Sequence, residues 1–153
     1  MTTTPKPTTY KGTQFRSRLE ARWAVFFDCL AIDWIYEPMT FTIQPTKWEY
    51  TPDFEITCKK GKPILVEVKP AQATGQTLEI LAAVSDIKKY MTILAVGDFY
   101  KKQLNIQIIS EPLHKESPIN FFQRLHPTPR NTIQVAIETA AGYRFDIAEN
   151  ARK

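Results

Sequence analysis

Apolar positions along the chain follow two rhythms. Between residues 14 and 31, Phe15, Leu19, Trp23, Phe26 and Leu30 recur at steps of four, four, three and four. That spacing lays one apolar stripe on a helix. Thr13 is placed to cap it, and Asp33 and the following turn end it. The rhythm then shortens. Trp34–Glu37, Phe41–Gln44 and Tyr50–Cys58 read as strands, and Ile64–Lys69, rich in β-branched residues, reads as another. Lys59–Pro63 makes a tight polar turn between the last two. Pro70 ends the fourth strand because it cannot donate to a ladder.

The helical rhythm returns from Gln76 to Tyr90, with Leu78, Leu81, Val84 and Lys88 near one stripe and Ile80 and Ile87 beside it. Thr92–Val96 and Asn105–Ser110 predict two further strands. Ile119–Leu125 predicts a short helix inside a segment, Glu111–Arg130, that holds four prolines. Thr132–Thr139 and Tyr143–Ile147, around Ala140-Ala141-Gly142, predict a hairpin. Helix, strands, helix and strands in this order predict an α/β fold, a mixed central sheet flanked by helices. Residues 1–12, rich in Thr and Pro, predict a flexible arm. Residues 13–153 predict a single domain with an extension from about 111.

At 153 residues and 43% hydrophobic, the chain is long and apolar enough for one core. The net charge of +4 favours a polyanionic partner only modestly. Cys29 and Cys58 lack metal-ligand spacing and predict free thiols in a reducing compartment. No apolar run approaches the roughly 20 residues of a membrane span, and the first residues lack a signal-peptide core. A cytoplasmic protein of phage or bacterial origin, without a membrane partner, is the expectation.

The chemistry lies in two neighbouring strands. Along Ile64-Leu65-Val66-Glu67-Val68-Lys69, Glu67 and Lys69 share a face and Val66 and Val68 take the other. A carboxylate and an ammonium in so apolar a strand need a reason. The short turn at Lys59–Pro63 predicts an antiparallel hairpin that brings Asp53 near the row of Glu67 and Lys69. Two converging carboxylates suit Mg²⁺, or Mn²⁺ in its place, because such ions take one or two carboxylates together with water and phosphate oxygens. A lysine alongside can orient an attacking water and stabilise phosphate charge. The competing reading is a Glu–Lys pair at a sheet edge with Asp53 in a turn.

Pro52-Asp53 followed by Glu67-Val68-Lys69 resembles the signature of the PD-(D/E)XK nuclease superfamily. The wider pattern is Phe15-Arg16-Ser17-Arg18-Leu19-Glu20, Tyr36-Glu37, Tyr50-Thr51-Pro52-Asp53-Phe54 and Val66-Glu67-Val68-Lys69. It is similar to phage-type Holliday-junction-resolving endonucleases and spans roughly residues 14–70. The resemblance implies a restriction-endonuclease-like core and metal-dependent hydrolysis of DNA phosphodiesters, with branched DNA in recombination or repair as a substrate. It implies Glu20, Asp53, Glu67 and Lys69 as the catalytic set, with the Val68 carbonyl as a further metal ligand. It also implies a homodimer or a subunit of a larger nucleoprotein complex. For Glu20 alone, an ion pair with Arg16 one helical turn earlier is the competing reading. Pro70 stands where such enzymes commonly carry Gly, and the pattern stops there. A non-catalytic or partner-dependent DNA-binding subunit on the same fold is the alternative function.

Arg16 and Arg22, near the helix acid, and Lys88 and Lys89, ending the second helix, are the candidate DNA contacts. Lys6 and Lys11 in the arm, and the loop clusters Lys59-Lys60-Lys62 and Lys101-Lys102, are weaker candidates. His114 and His126, in proline-rich segments, are expected to play no part in catalysis.

Overall fold

The computed structural model describes residues 5–101, 103–109 and 114–145. Lys102, Ser110 and the Asp146–Ile147 end of the expected hairpin lie outside them.

A small antiparallel hairpin, β1 (Thr8–Tyr10) and β2 (Thr13–Phe15), precedes the first helix. Lys11 and Gly12 both take positive φ at its turn, 48° and 81°, the conformation of the two-residue turn whose twist matches paired strands. The flexible arm expected to reach residue 12 therefore contains structure from Thr8 onward. Thr8 and Tyr10 are buried. Tyr10 donates to Asp28 at 2.6 Å and the Lys11 ammonium lies 3.1 Å from the same carboxylate, so Lys11 is committed within the protein.

Helix α1 (Arg18–Cys29) starts later than Thr13 predicts. Ser17 is its cap, accepting from the Glu20 backbone N–H at 3.1 Å. Ser17-Arg18-Leu19-Glu20 is the S-x-x-E pattern of a capping box. Trp23 and Phe26 of the stripe are fully buried, and so is Phe27 beside them.

Six strands form the central sheet: β3 (Asp33–Tyr36), β6 (Phe54–Thr57), β7 (Ile64–Lys69), β8 (Met91–Asp98), β9 (Gln103–Ile108) and β10 (His114–Glu116), in the order β10-β9-β8-β7-β6-β3. β7 and β8 are parallel and every other pair is antiparallel. This is the mixed sheet flanked by helices that the element order predicts. Gly97, at φ 119°, lets β8 meet β9. A Cβ there would lie 1.8 Å from the Gln103 carbonyl oxygen.

Side-chain alternation splits the sheet into two faces. Phe54, Ile56, Val66, Val68, Ile93 and Ala95 pack with α1, with α3 (Pro118–Leu125) and with α4 (Arg130–Gly142). The opposite face, with Leu65, Leu94 and Val96, is covered by α2 (Gly75–Lys88) and by a separate hairpin, β4 (Phe41–Ile43) and β5 (Trp48–Tyr50). α2 is the crossover between parallel β7 and β8, so its start lies near Lys69 and its end near Met91.

Residues 130–142 are helical, which corrects the hairpin expected over Thr132–Thr139. Ile133, Val135 and Ile137 alternate like a strand, but Val135 is 57% exposed. The buried set is Ile133, Ala136, Ile137 and Ala140, a helical stripe that packs on α1. No helix among the described residues is long and apolar enough to cross a membrane.

Candidate active site

The β6–β7 hairpin pairs Phe54 with Val66. One step beyond that pair, Asp53 stands opposite Glu67. Asp53 and Glu67 are both buried, 2% and 7% exposed, at the end of the sheet where Lys69 closes β7. The turn at Lys59–Pro63 thus brings together the two acids that the strand pattern predicts.

Each acid is held by a dedicated donor. The Val68 backbone N–H donates to one Asp53 oxygen at 2.8 Å. The Arg16 guanidinium reaches the other at 3.0 Å. Tyr50 on β5 donates its hydroxyl to Glu67. The Asp53 backbone carbonyl accepts from the Glu37 N–H at 2.8 Å.

Glu20 comes from the opposite layer. α1 packs on the other face, but Glu20 lies in its first turn and reaches around the sheet end. It is buried, accepts from the Tyr36 hydroxyl at 3.0 Å and from the Ser17 hydroxyl at 2.9 Å, and lies 3.9 Å from Arg16. The ion pair with Arg16 and a place beside the acid pair are therefore both true of Glu20.

The electrostatics follow from crowding. Burial, and then the hydrogen bond and repulsion from Glu67, hold the Asp53 carboxyl above the ordinary carboxylate range. The Val68 amide and Arg16 oppose this. Glu20 is raised as well, by burial first and by Asp53 second. Desolvation and a like charge both disfavour the ionised form. Two buried carboxyls face to face disfavour ionising together; Arg16 offsets part of that at one Asp53 oxygen, and the pair of carboxylates is a donor set that a divalent ion fits. Among the described residues no three His, Cys, Asp or Glu side chains gather into a cage. Two carboxylates, with the remaining positions left to water and phosphate oxygens, match the preference of Mg²⁺.

A cleft of about 1190 Å³ opens over this cluster. Asp53, Glu67, Val68 and Lys69 line it together with Arg16, Arg18, Glu20, Tyr50 and Lys6. Lys69 has no hydrogen-bond or ion-pair partner among the described residues, which leaves its ammonium available to whatever enters.

Three of the four expected DNA contacts, Arg22, Lys88 and Lys89, lie away from the cleft lining. Arg22 is buried, and its guanidinium donates to the carbonyls of Ala140 at 2.8 Å, Ala141 at 3.0 Å and Tyr143 at 3.3 Å. It also pairs with the Tyr100 hydroxyl and stacks 4.7 Å from that ring. It caps the C-terminus of α4, where a cation offsets the orphaned carbonyls. Lys88 and Lys89 sit at the end of α2, beside Met91, which pairs with Ile64 at the opposite end of β7 from Lys69. A 14-residue helix spans about 21 Å, so these lysines lie far from the cleft. Lys88 lies instead 5.1 Å from the Tyr90 ring.

Both histidines are engaged by groups of the fold. His126 is buried, accepting from the Lys59 N–H at 3.1 Å and contacting the Leu30 carbonyl at 2.7 Å. His114 pairs with Glu116 on β10. Tyr36, Glu37 and Tyr50 stand in the wider sequence motif without a role, and hydrogen bonds to Glu20, to the Asp53 carbonyl and to Glu67 give each of them one.

No protein-family model and no curated protein matches this chain. Among solved structures the chain is similar to a "putative nuclease belonging to DUF820" from Anabaena variabilis ATCC 29413, with 11% identity and a TM-score of 0.42, the match covering 88% of this chain and 93% of that one.

Proposed function

We propose that this protein is a metal-dependent DNA nuclease, with Asp53 and Glu67 as the ligands of Mg²⁺ or Mn²⁺ and Lys69 as the group that handles the attacking water. The observation that carries the reading is the register of one hairpin. It sets two buried carboxylates opposite each other at the end of a cleft, with a lysine two residues along the same strand that has no partner among the described residues.

A bound divalent ion would supply Lewis acidity at the phosphate and a more acidic water. The chain's own groups do the positioning. The Val68 N–H fixes one oxygen of Asp53, and Tyr50 fixes Glu67. Hydrogen bonds of this kind orient metal-binding groups and sharpen their affinity. The Val68 carbonyl is a further ligand in this reading, and Glu20 completes the cluster directly or through water. Lys69 orients the nucleophilic water and stabilises the charge that develops on the phosphate. Lys6, Arg16 and Arg18 on the cleft wall suit a polyanionic backbone. Branched DNA is the favoured substrate, on the strength of the motif pattern in α1 and the first strands.

The test is an incubation with supercoiled plasmid, linear duplex, single strand and a four-way junction, in Mg²⁺, Mn²⁺ or EDTA. Metal-dependent cutting that disappears in Lys69→Ala supports the nuclease, and preference for the junction supports the branched substrate. No cutting of any substrate by folded, metal-loaded protein would sink the enzymatic reading in favour of a partner-dependent subunit.

A further inference from the structure

Arg16 occupies an unusual place for an exposed residue. Its side chain is 65% exposed, yet it makes contacts with three acids. Nε lies 2.7 Å from Glu37, Nη2 lies 3.0 Å from Asp53, and Nη2 lies 3.9 Å from Glu20. The guanidinium is therefore the positive charge that the acid cluster has when no other cation is present.

Its anchoring is uneven. The backbone of Arg16 is fixed, because its N–H donates to the Tyr36 hydroxyl at 3.0 Å and that hydroxyl donates on to Glu20. Glu37, at the rim and 36% exposed, holds Nε from outside the cluster. Glu37 is in the left-handed region at φ 49°, a conformation a non-glycine residue adopts only when its surroundings demand it. Asp53, by contrast, does not depend on Arg16 for its place. Its second oxygen is held by the Val68 N–H and its carbonyl by the Glu37 N–H. Arg16 can leave Asp53 without disturbing it, and Glu37 keeps the guanidinium at the cleft mouth when it does.

We infer that Arg16 is a placeholder cation: it neutralises Asp53 in the metal-free protein, is displaced when a divalent ion binds, and then turns, still tethered by Glu37, onto a phosphate of the nucleic acid. A planar guanidinium suits both partners, since carboxylate and phosphate accept the same forked donors. The inference rests on reading Asp53 and Glu67 as the metal ligands, and its test separates the two ideas.

Mn²⁺ is titrated calorimetrically into wild type, Arg16→Gln and Asp53→Asn without DNA. Removing a competing exposed charge tightens Mn²⁺ binding by about fivefold in Arg16→Gln, and Asp53→Asn abolishes binding. Duplex affinity is then measured against salt with Ca²⁺ in place of Mg²⁺. Arg16→Gln lowers the slope of log affinity on log salt by about one phosphate contact, and Arg16→Lys restores most of it. Mn²⁺ affinity unchanged or weakened in Arg16→Gln, while Asp53→Asn still abolishes it, overturns the placeholder and leaves the metal site standing. Tighter Mn²⁺ with an unchanged salt slope overturns the transfer to phosphate. No Mn²⁺ binding by any form overturns the placeholder and the metal site together.

Discussion

Tyr50 donates its hydroxyl to Glu67 across the gap between the β4–β5 hairpin and the central sheet. A peripheral hairpin thus steers a carboxylate of the candidate active site. Tyr50→Phe keeps the ring in the pocket and removes only the donor. We expect a loss of roughly 1.5–3 kcal/mol in denaturant unfolding, the range for a hydrogen bond to a charged group. We expect Mn²⁺ affinity to fall at least about tenfold, the usual effect of losing a group that orients a ligand. Full Mn²⁺ affinity in a folded Tyr50→Phe protein would remove Tyr50 from the site.

Stability of the metal-free protein should fall as the pH rises. Asp53 is raised above the ordinary carboxylate range on folding, by burial and by Glu67. A group raised on folding favours the fold while it keeps its proton. That contribution is complete below the ordinary carboxylate range and is lost as the pH climbs through the raised value. Glu20 shifts in the same direction and adds to the effect. Thermal melts in EDTA should therefore drop from mildly acidic to neutral and alkaline pH, and Asp53→Asn should flatten the profile. Mn²⁺ should restore stability at the alkaline end, since a ligand that binds only the folded state stabilises it. A profile with the same slope in Asp53→Asn would show that the acid pair is not its source.

Arg22 is predicted to matter for the fold and not for DNA. Arg22→Ala strands three carbonyls at the end of α4 and empties a buried site. A cost of about 2–4 kcal/mol is expected. Arg22→Lys recovers only part of it, because one ammonium cannot reproduce the planar fork. The measurement is equilibrium unfolding beside duplex binding under folding conditions. Stability intact and binding lost would reverse the assignment.

Neutralising Lys88 and Lys89 together should leave the salt dependence of DNA binding unchanged, because the residues lie at the far end of β7 from the cleft. Neutralising Lys6, which lines the cleft, should lower the slope by about one contact. A lower slope in the Lys88–Lys89 variant would move the DNA path to the other end of the sheet.

The central hairpin is legible in the sequence because period-2 alternation, a tight turn and Pro70 all agree on it. Its register followed, and with it the meeting of Asp53 and Glu67. Other features depended on competing local signals. Ser17-Arg18-Leu19-Glu20 carried the helix start, but the apolar stripe extended back to Phe15 and drew the boundary with it. Phe15 belongs to β2 and is buried against Trp34, Tyr36 and Phe54. In 130–142, β-branched residues suggested strand while Ile133, Ala136, Ile137 and Ala140 carried the helix, and packing on α1 decided between them. The two arginines part only in three dimensions. Arg16 and Arg22 are six apart on neighbouring segments and look alike in sequence, yet one faces three acids and the other three carbonyls. Only the position of α4, far along the chain, separates them.

The pairing of Phe54 with Val66 has one more consequence, for which changes of length this gene can tolerate. Asp53 and Glu67 meet because each strand has the right parity between its acid and the turn. A single inserted or deleted residue within β6 or β7 would send its acid to the opposite face, into the layer of α1. The turn at 59–63 bears no such parity constraint, although Gly61 at φ 95° and the Lys59 N–H bonded to His126 fix its shape in this chain. Relatives of this chain that keep both acids should therefore change length within that turn before they do so within either strand, counting the same number of residues from each acid to the edge of it.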